Sequence, residues 1–315
     1  MKSALHVIWN WVDSAELNSA VHEPRRQRTD AARWIPYIIL HAGCLAVFWV
    51  GWSWVAVAVA IALYFLRMFA ITGFYHRYFS HRSFATSRAV QFILGVWGNT
   101  AAQRGPIWWA CHHRQHHAHS DDEEDAHSPV QHGLYWSHIG WLTARDNLAI
   151  NERYVRDLVK FPELRYLDRF DMLVPAVLAV LLFVLGATLN ALEPGLGTNG
   201  WQMLVWGFFI STVAVFHATC TINSLAHVFG SRRFPTKDDS RNNFLLALLT
   251  LGEGWHNNHH RFPASARQGF YWWEVDLTFY GLKVMQWLGL IWDLKPVPAH
   301  LLAEKQKAGA ASGGE

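Results

Sequence analysis

Nine of the chain's nineteen histidines fall into four tight groups, and long apolar runs lie between those groups. The groups read HRYFSH at 76–81, HRQHH at 113–117, NSLAH at 223–227 and HNNHH at 256–260. Imidazole is a borderline ligand suited to iron, copper, zinc and nickel. Groups that share a metal must end on one side of a membrane, so an even number of crossings must separate them. That parity constrains the fold more than any local propensity.

The apolar runs are long enough to cross. Half of the 315 residues are apolar and 16% are charged, below the roughly 25% of soluble domains. Eighteen tryptophans suit the water–lipid interface, where an apolar ring can still satisfy its N–H. From Trp34 to Leu66 there is no charge, and apolar character continues to about Tyr75. One span needs about 20 residues, so this run predicts two, turning at Gly51-Trp52-Ser53-Trp54. Arg67 interrupts the second, where it either snorkels or faces a polar interior. A second pair follows. The predicted spans are about 34–50, 54–75, 172–192 and 201–222.

Both connecting turns lack lysine and arginine, whereas Arg25, Arg26, Arg28 and Arg33 precede the first run. The positive-inside tendency puts the turns outside and both termini in the cytoplasm. Residues 89–98 are apolar but short, and crossing there would separate His76 and His81 from the next group. They are read as an interfacial helix, and 244–251 and 277–291 as non-spanning. The expected class is an all-α integral membrane protein, with four spanning helices in two hairpins and a cytoplasmic helical cap. The expected domains are a polar cytoplasmic segment 1–33, one membrane domain 34–302 with its cap from 76–171 and 223–302, and a disordered tail 303–315. The first thirty residues lack the apolar core of a signal peptide. A net charge of +3 without a basic block gives no nucleic-acid footprint, and Cys44, Cys111 and Cys220 show no pairing framework.

The i, i+3, i+4 spacing of His113, His116 and His117 puts them on one helix face, and His256, His259 and His260 repeat it. His76 and His81 are five apart, about 140° around an ideal helix, so that pair needs a helix end or local unwinding. His227 supplies a ninth imidazole, and Asn223 one turn earlier could hydrogen-bond a metal-bound water. The lone His6, His22, His41, His217 and His300 are read as solvated or hydrogen-bonded side chains. His112, His119, His127, His132 and His138 stay open between support, headgroup contact and plain surface. The acidic run Asp121 to Asp125 is read as a solvated loop, in which one carboxylate could support a ligand histidine. Structural zinc wants four ligands, often thiolates. Soluble di-iron oxygenases use Glu-rich helices with paired Glu-x-x-His motifs, and only Glu253 to His256 has that spacing here. Two irons among neutral imidazoles fit best.

HRYFSH, HRQHH, NSLAH and GEGWHNNHH resemble the four signature boxes of the stearoyl-CoA desaturase-like membrane fatty acid desaturases, in that family's order and spacing, over about residues 35–295. The resemblance implies one iron on His76, His81, His113, His117 and His259. It implies a second on His116, His227, His256 and His260, with a water positioned by Asn223. It also implies that Gln103 and Trp109 line the bend of an acyl tunnel. Tyr64, Phe65 and Phe69 could plug the tunnel floor or simply pack against lipid and neighbouring helices. Vertebrate acyl-CoA enzymes carry an Arg-Asp pair where this chain has Cys111-His112, and Arg-Lys where it has Arg145-Asp146. Both pairs serve the CoA headgroup and are only partly kept. The run QRGPIWWACHHRQHHAHSD is closer to bacterial and cyanobacterial relatives, some of which act on lipid-linked chains.

The implied activity is O2-dependent insertion of a cis double bond, at Δ9, into a saturated acyl chain carried on CoA or a lipid. Unactivated C–H bonds have no acidic proton, so the metals must carry the chemistry. The chain has no haem-binding HPGG box and no haem or flavin is expected in it. Electrons then come from a separate donor, a ferredoxin, a cytochrome b5-like protein or a flavin reductase. The expected site is the bacterial inner membrane. A fatty acyl or alkyl hydroxylase on the same scaffold, and a membrane metal transporter, are the rival readings.

Overall fold

The structure is a computed structural model that describes residues 9–19 and 29–303. Arg25, Arg26, Arg28, His6, His22 and residues 304–315 of the tail lie outside the described residues. Four described helices are long and apolar enough to cross a bilayer: α1 (Ala31–Val50), α2 (Trp54–Ser80), α7 (Leu173–Leu192) and α8 (Gly200–His227). Between α2 and α7 lie α3 (Arg88–Asn99), α4 (Pro106–His119), α5 (Pro129–Tyr135) and α6 (Pro162–Arg169). After α8 come α9 (Phe244–Leu249), α10 (His256–Arg261) and α11 (Leu277–Trp287). Strands β1 (Ala85–Thr86) and β2 (Ile291–Trp292) pair antiparallel. The fold is therefore the expected one: an all-α membrane protein of two helical hairpins under a helical cap, with four spans.

The two hairpins meet at their tight turns. Ser53 caps α2 by accepting from Ala56 N, and its hydroxyl donates to Thr198 Oγ1 at 2.9 Å. Such a bond between membrane helices contributes about 0.6 kcal/mol. Gly51 turns the chain at φ 67°, a conformation that favours glycine. Trp49, Trp52, Trp54 and Trp201 ring this end with exposed indoles, as the interface prefers. Ala56, Leu182, Met203 and Phe208 form the packed seam between the hairpins. Helix α1 has none of its apolar window buried, so one side of it faces lipid.

Arg67 faces inward. It is 1% exposed and donates to the carbonyls of Leu63, Thr100 and Gly207 and to the hydroxyls of Thr212 and Ser211. Helix α8 is wound as a π-helix over Met203–Ile210. Such winding loosens the regular carbonyl ladder, and Arg67 takes up the Gly207 carbonyl there.

The second span runs five residues beyond the sequence estimate, to Ser80, because its last part, Ala70–Ser80, is also a π-helix. Its bonds run i to i+5, and His81 N donates to His76 O at 3.2 Å. Residues five apart therefore return to one face. This resolves the awkward spacing of His76 and His81: the helix is wound to suit them, and His81 stands at its end. The cap then packs on this stretch through Phe74, Tyr75, Phe79, Leu94, Ile107 and Leu164. Helix α3 lies against it without spanning, as predicted.

Candidate metal centre

Four elements deliver the nine histidines to one place. The π-helical end of α2 brings His76 and His81, and α4 brings His113, His116 and His117. The last turn of α8 brings His227, and α10 brings His256, His259 and His260. They divide into two sets. Ring nitrogens of His76, His81, His113, His117 and His259 all lie within 4.8 Å of one another, and those of His116, His227, His256 and His260 do likewise. Nε2 atoms face each other at 2.7 Å for His81 and His113, and at 2.9 Å for His76 and His259. The spacing is 2.9 Å for His117 and His259, and 3.0 Å for His227 and His256.

Carboxylates behind the rings fix which nitrogen looks inward. Asp125 sits 2.9 Å from Nδ1 of His116, Asp121 2.8 Å from Nδ1 of His227, and Asp238 2.7 Å from Nδ1 of His260. Glu253 holds Nδ1 of His76. Each carboxylate accepts the Nδ1 proton, which leaves the Nε2 lone pair directed at the centre, as metal-bound histidines require. Nε2 of His260 is buried and has no hydrogen-bond partner, although its Nδ1 is committed. Converging lone pairs with no proton between them repel unless a cation separates them. The donor set therefore fits two metal ions.

Charge follows the same design. His81, His113, His117, His256 and His259 are held well below the usual imidazole value, by burial first and by neighbouring imidazoles second. Burial takes His260 down to about 4 against the pull of Asp238. His116 is the exception: burial is the largest single effect and opposes its charge, but Asp125, Asp121 and Asp238 together raise it. Burial also works against the carboxylates, yet hydrogen bonds and charge from His227 hold Asp121 at about 2, and histidine partners hold Asp125 and Asp238 lower still.

These shifts set a pH dependence for the metal-free protein. Six of the nine grouped histidines have folded values below their unfolded value, near 6.5. Below that pH the unfolded chain takes up protons that the folded chain refuses, so stability falls as pH falls. His116 and Asp168, whose folded values are raised, work in the opposite sense, and the buried His127, lowered to about 3, adds to the larger group. After chelator treatment, the melting temperature in detergent is expected to hold from pH 8 to about 7 and to drop between pH 6.5 and 5. A flat or rising profile over that window would contradict the neutral-imidazole reading.

Several supporting residues carried no signal in the sequence. Asp122, Glu123 and Glu124 are exposed as read, but Asp121 and Asp125 at the ends of that run turn inward and each serves a ligand histidine, two supporting carboxylates where one was expected. Asp238 comes from a distant loop. Glu253 pairs with His76 and Arg77, and its spacing to His256 is incidental. Asp168 caps α4 by accepting from Ile107 N at 2.9 Å and Trp108 N at 2.7 Å, and burial raises its carboxyl to about 7. In HNNHH the two asparagines are fully buried. Asn257 Oδ1 accepts from Arg233 N and Phe234 N, while Asn258 Nδ2 donates to Glu274. They anchor a six-residue helix too short to hold itself.

The remaining candidates sort by position. A cavity of about 220 Å³ runs from the first turn of α1 to the histidines, and Gln103, Trp109, His113 and Asn223 are in its wall. A smaller one, about 30 Å³, shares Trp109, His113, Thr219 and Asn223 and continues past the metal sets to Met68 and Thr250. Gln103 donates to Thr219 Oγ1 at 3.0 Å, and Trp109 stacks on His113. Tyr64 lines neither cavity and donates to Leu249 O at 2.7 Å. Phe65 faces outward, and Phe69 packs on Phe74 and Trp97. Arg145 is exposed and outside both cavity walls.

His41 and His217 are not isolated. His41 Nε2 lies 2.9 Å from His217 Nε2, and His217 Nδ1 lies 3.0 Å from His138 Nε2. The three form a chain across α1, α8 and the cap. His127 packs on His116 and Trp141.

Residues 52–284 match the model of the fatty acid desaturase family. The chain belongs to that family. It is similar to the sn-1 stearoyl-lipid 9-desaturase of Anabaena variabilis, 40% identical over 262 residues, which cover 82% of this chain and 91% of that protein. The sn-2 palmitoyl-lipid 9-desaturase of Nostoc sp. (strain 36) is 35% identical over 277 residues, covering 85% and 92%. An acyl-CoA 5-desaturase of Anemone leveillei is 38% identical over 272 residues, covering 84% and 79%. As a fatty acid desaturase the chain is an oxidoreductase of lipid metabolism, and its clustered histidines are compatible with a metal centre.

Proposed function

We propose that this desaturase inserts a cis Δ9 double bond into a saturated chain esterified to a membrane lipid, at a di-iron centre on the cytoplasmic face of a bacterial inner membrane. The observation that carries the reading is a two-set, nine-histidine centre lying beside an apolar-walled cavity. The lipid carrier is supported by relatives named as stearoyl-lipid and palmitoyl-lipid 9-desaturases. His76, His81, His113, His117 and His259 would hold one iron. His116, His227, His256 and His260 would hold the other, with Asn223 hydrogen-bonding a bound water. When bound, the irons supply the oxygen chemistry that breaks unactivated C–H bonds. Overall, two chain hydrogens, O2, two protons and two electrons from a separate redox protein yield the alkene and two waters.

The chain's own residues position and exclude. Trp109 and Gln103 shape the wall beside the histidines, and the Gln103–Thr219 bond fixes that wall to α8. Holding one carbon pair against the centre gives regioselectivity by orientation. Most of the surface this wall offers is apolar, so the acyl chain displaces water as it enters.

Fatty-acid profiling of cells expressing this chain, with double-bond derivatisation, tests the reading against a His117→Ala control. A new cis Δ9 monoene absent from the control is expected. A hydroxylated product instead, with iron bound and a reductase supplied, would move the assignment to a hydroxylase.

A further inference from the structure

The larger cavity has a polar mouth at the first turn of α1, where the span leaves the bilayer. Arg33 is in that wall, and no described residue forms an ion pair or hydrogen bond with its guanidinium. The acids near it are otherwise engaged. Asp171 is held by Arg104 at 3.0 Å and accepts from Ser14 Oγ. Asp30 accepts from Ala32 N as the cap of α1. Arg104 donates to Asn18 Oδ1 at 2.7 Å as well as pairing with Asp171, while its Nε and Asp171 Oδ2 make no hydrogen bond. Trp11 lines the same mouth, and its indole N–H is buried without an acceptor. A guanidinium and an indole N–H therefore face one cavity beside the Asp171 carboxylate, and neither makes a hydrogen bond to a described residue. An arginine fork suits phosphate oxygens, and Arg104 offsets the Asp171 carboxylate beside it.

Depth argues for the source of the phosphate. Below Arg33, the side of α1 that lines the cavity carries Pro36, Tyr37, Leu40 and His41. Ile35, Ile38 and Ile39 on its other side are exposed, so one helix separates the cavity from lipid. An acyl chain anchored at Arg33 would lie along α1 and reach Trp109 and His113 without leaving the membrane.

We propose that Arg33, with Trp11, binds the phosphate of a glycerophospholipid whose acyl chain occupies the cavity. The proposal rests on the desaturase reading of the cavity and names its substrate class. A galactolipid would leave the guanidinium unpaired. An acyl-CoA would offer phosphates only at the far end of its pantetheine arm.

The test uses iron-loaded full-length protein in nanodiscs, given distearoylphosphatidylglycerol, distearoyl monogalactosyldiacylglycerol or stearoyl-CoA, with bound lipid read by native mass spectrometry. Wild-type protein is expected to retain phosphatidylglycerol. Arg33→Gln should weaken that retention about tenfold and raise the ratio of KM for phosphatidylglycerol to KM for galactolipid about tenfold, with Arg33→Lys between the two. Unchanged retention in Arg33→Gln would overturn the proposal. So would a KM rise confined to stearoyl-CoA, which would assign the phosphate to CoA. Arg33-dependent retention by a wild-type protein that forms no product would uphold the anchor while removing the desaturase reading, so the two fail separately.

Discussion

Replacing His259 with alanine is expected to abolish product formation, a loss of more than about a hundredfold, and to lower bound iron from two per chain towards one. His259 has the most to lose because its Nε2 faces both His76 and His117 at 2.9 Å. Its removal opens the five-histidine set at the centre, whereas the four-histidine set keeps its members and their three carboxylates. Iron by plasma mass spectrometry and monoene by gas chromatography, on the same membranes, check the two halves together. Full activity with two irons would refute the ligand assignment. Loss of both irons would show that the sets load as a unit.

Arg77→Met is expected to destabilise the protein by about 3–5 kcal/mol, the cost of stripping the partner from a buried ion pair. Arg77 is 1% exposed and bonds Asp276 at 3.0 Å, Glu253 at 3.1 Å and Ala266 O at 2.8 Å. Methionine fills much of the volume but leaves two buried carboxylates without the cation they share. Glu253 orients His76, and Asp276 caps α11 through Phe279 N, so the damage should spread to metal retention. Unfolding in detergent, compared with wild type, measures it. A change below about 1 kcal/mol would mean that the carboxylates find protons or other donors.

The spans and the nine histidines were legible because they obey simple rules: apolar length, one-sided crossing parity, and i, i+3, i+4 spacing. The supports were not. Asp238 is 22 residues from His260 in sequence and meets it only through the fold. Asp121 and Asp125 sit in a run whose composition reads as surface, and only contact with His227 and His116 gives them a role. His41 and His217 looked like isolated residues because they lie 176 residues apart, and His138, the second partner of His217, comes from a different segment again. Arg67 was ambiguous for the same reason: apart from Leu63 on its own helix, its acceptors are Thr100 just past α3 and residues of α8, and no local pattern chooses between solvent and interior. Backbone winding was hidden as well. The five-residue interval from His76 to His81 signalled departure from α-helix, but the π-helix that answers it depends on the packing of α2 against the cap.

That winding makes the centre a matter of arithmetic. Where bonds run i to i+5, the azimuth of every later side chain depends on how many residues precede it. Changing a letter between Ala70 and Tyr75 alters packing locally. Removing one residue there would re-index His76 and His81 together, swinging both rings off the axis they share with His113 and His259. Along this stretch the chain therefore stores the position of its metal site in a count, and lineages should drift in composition there far more readily than in length.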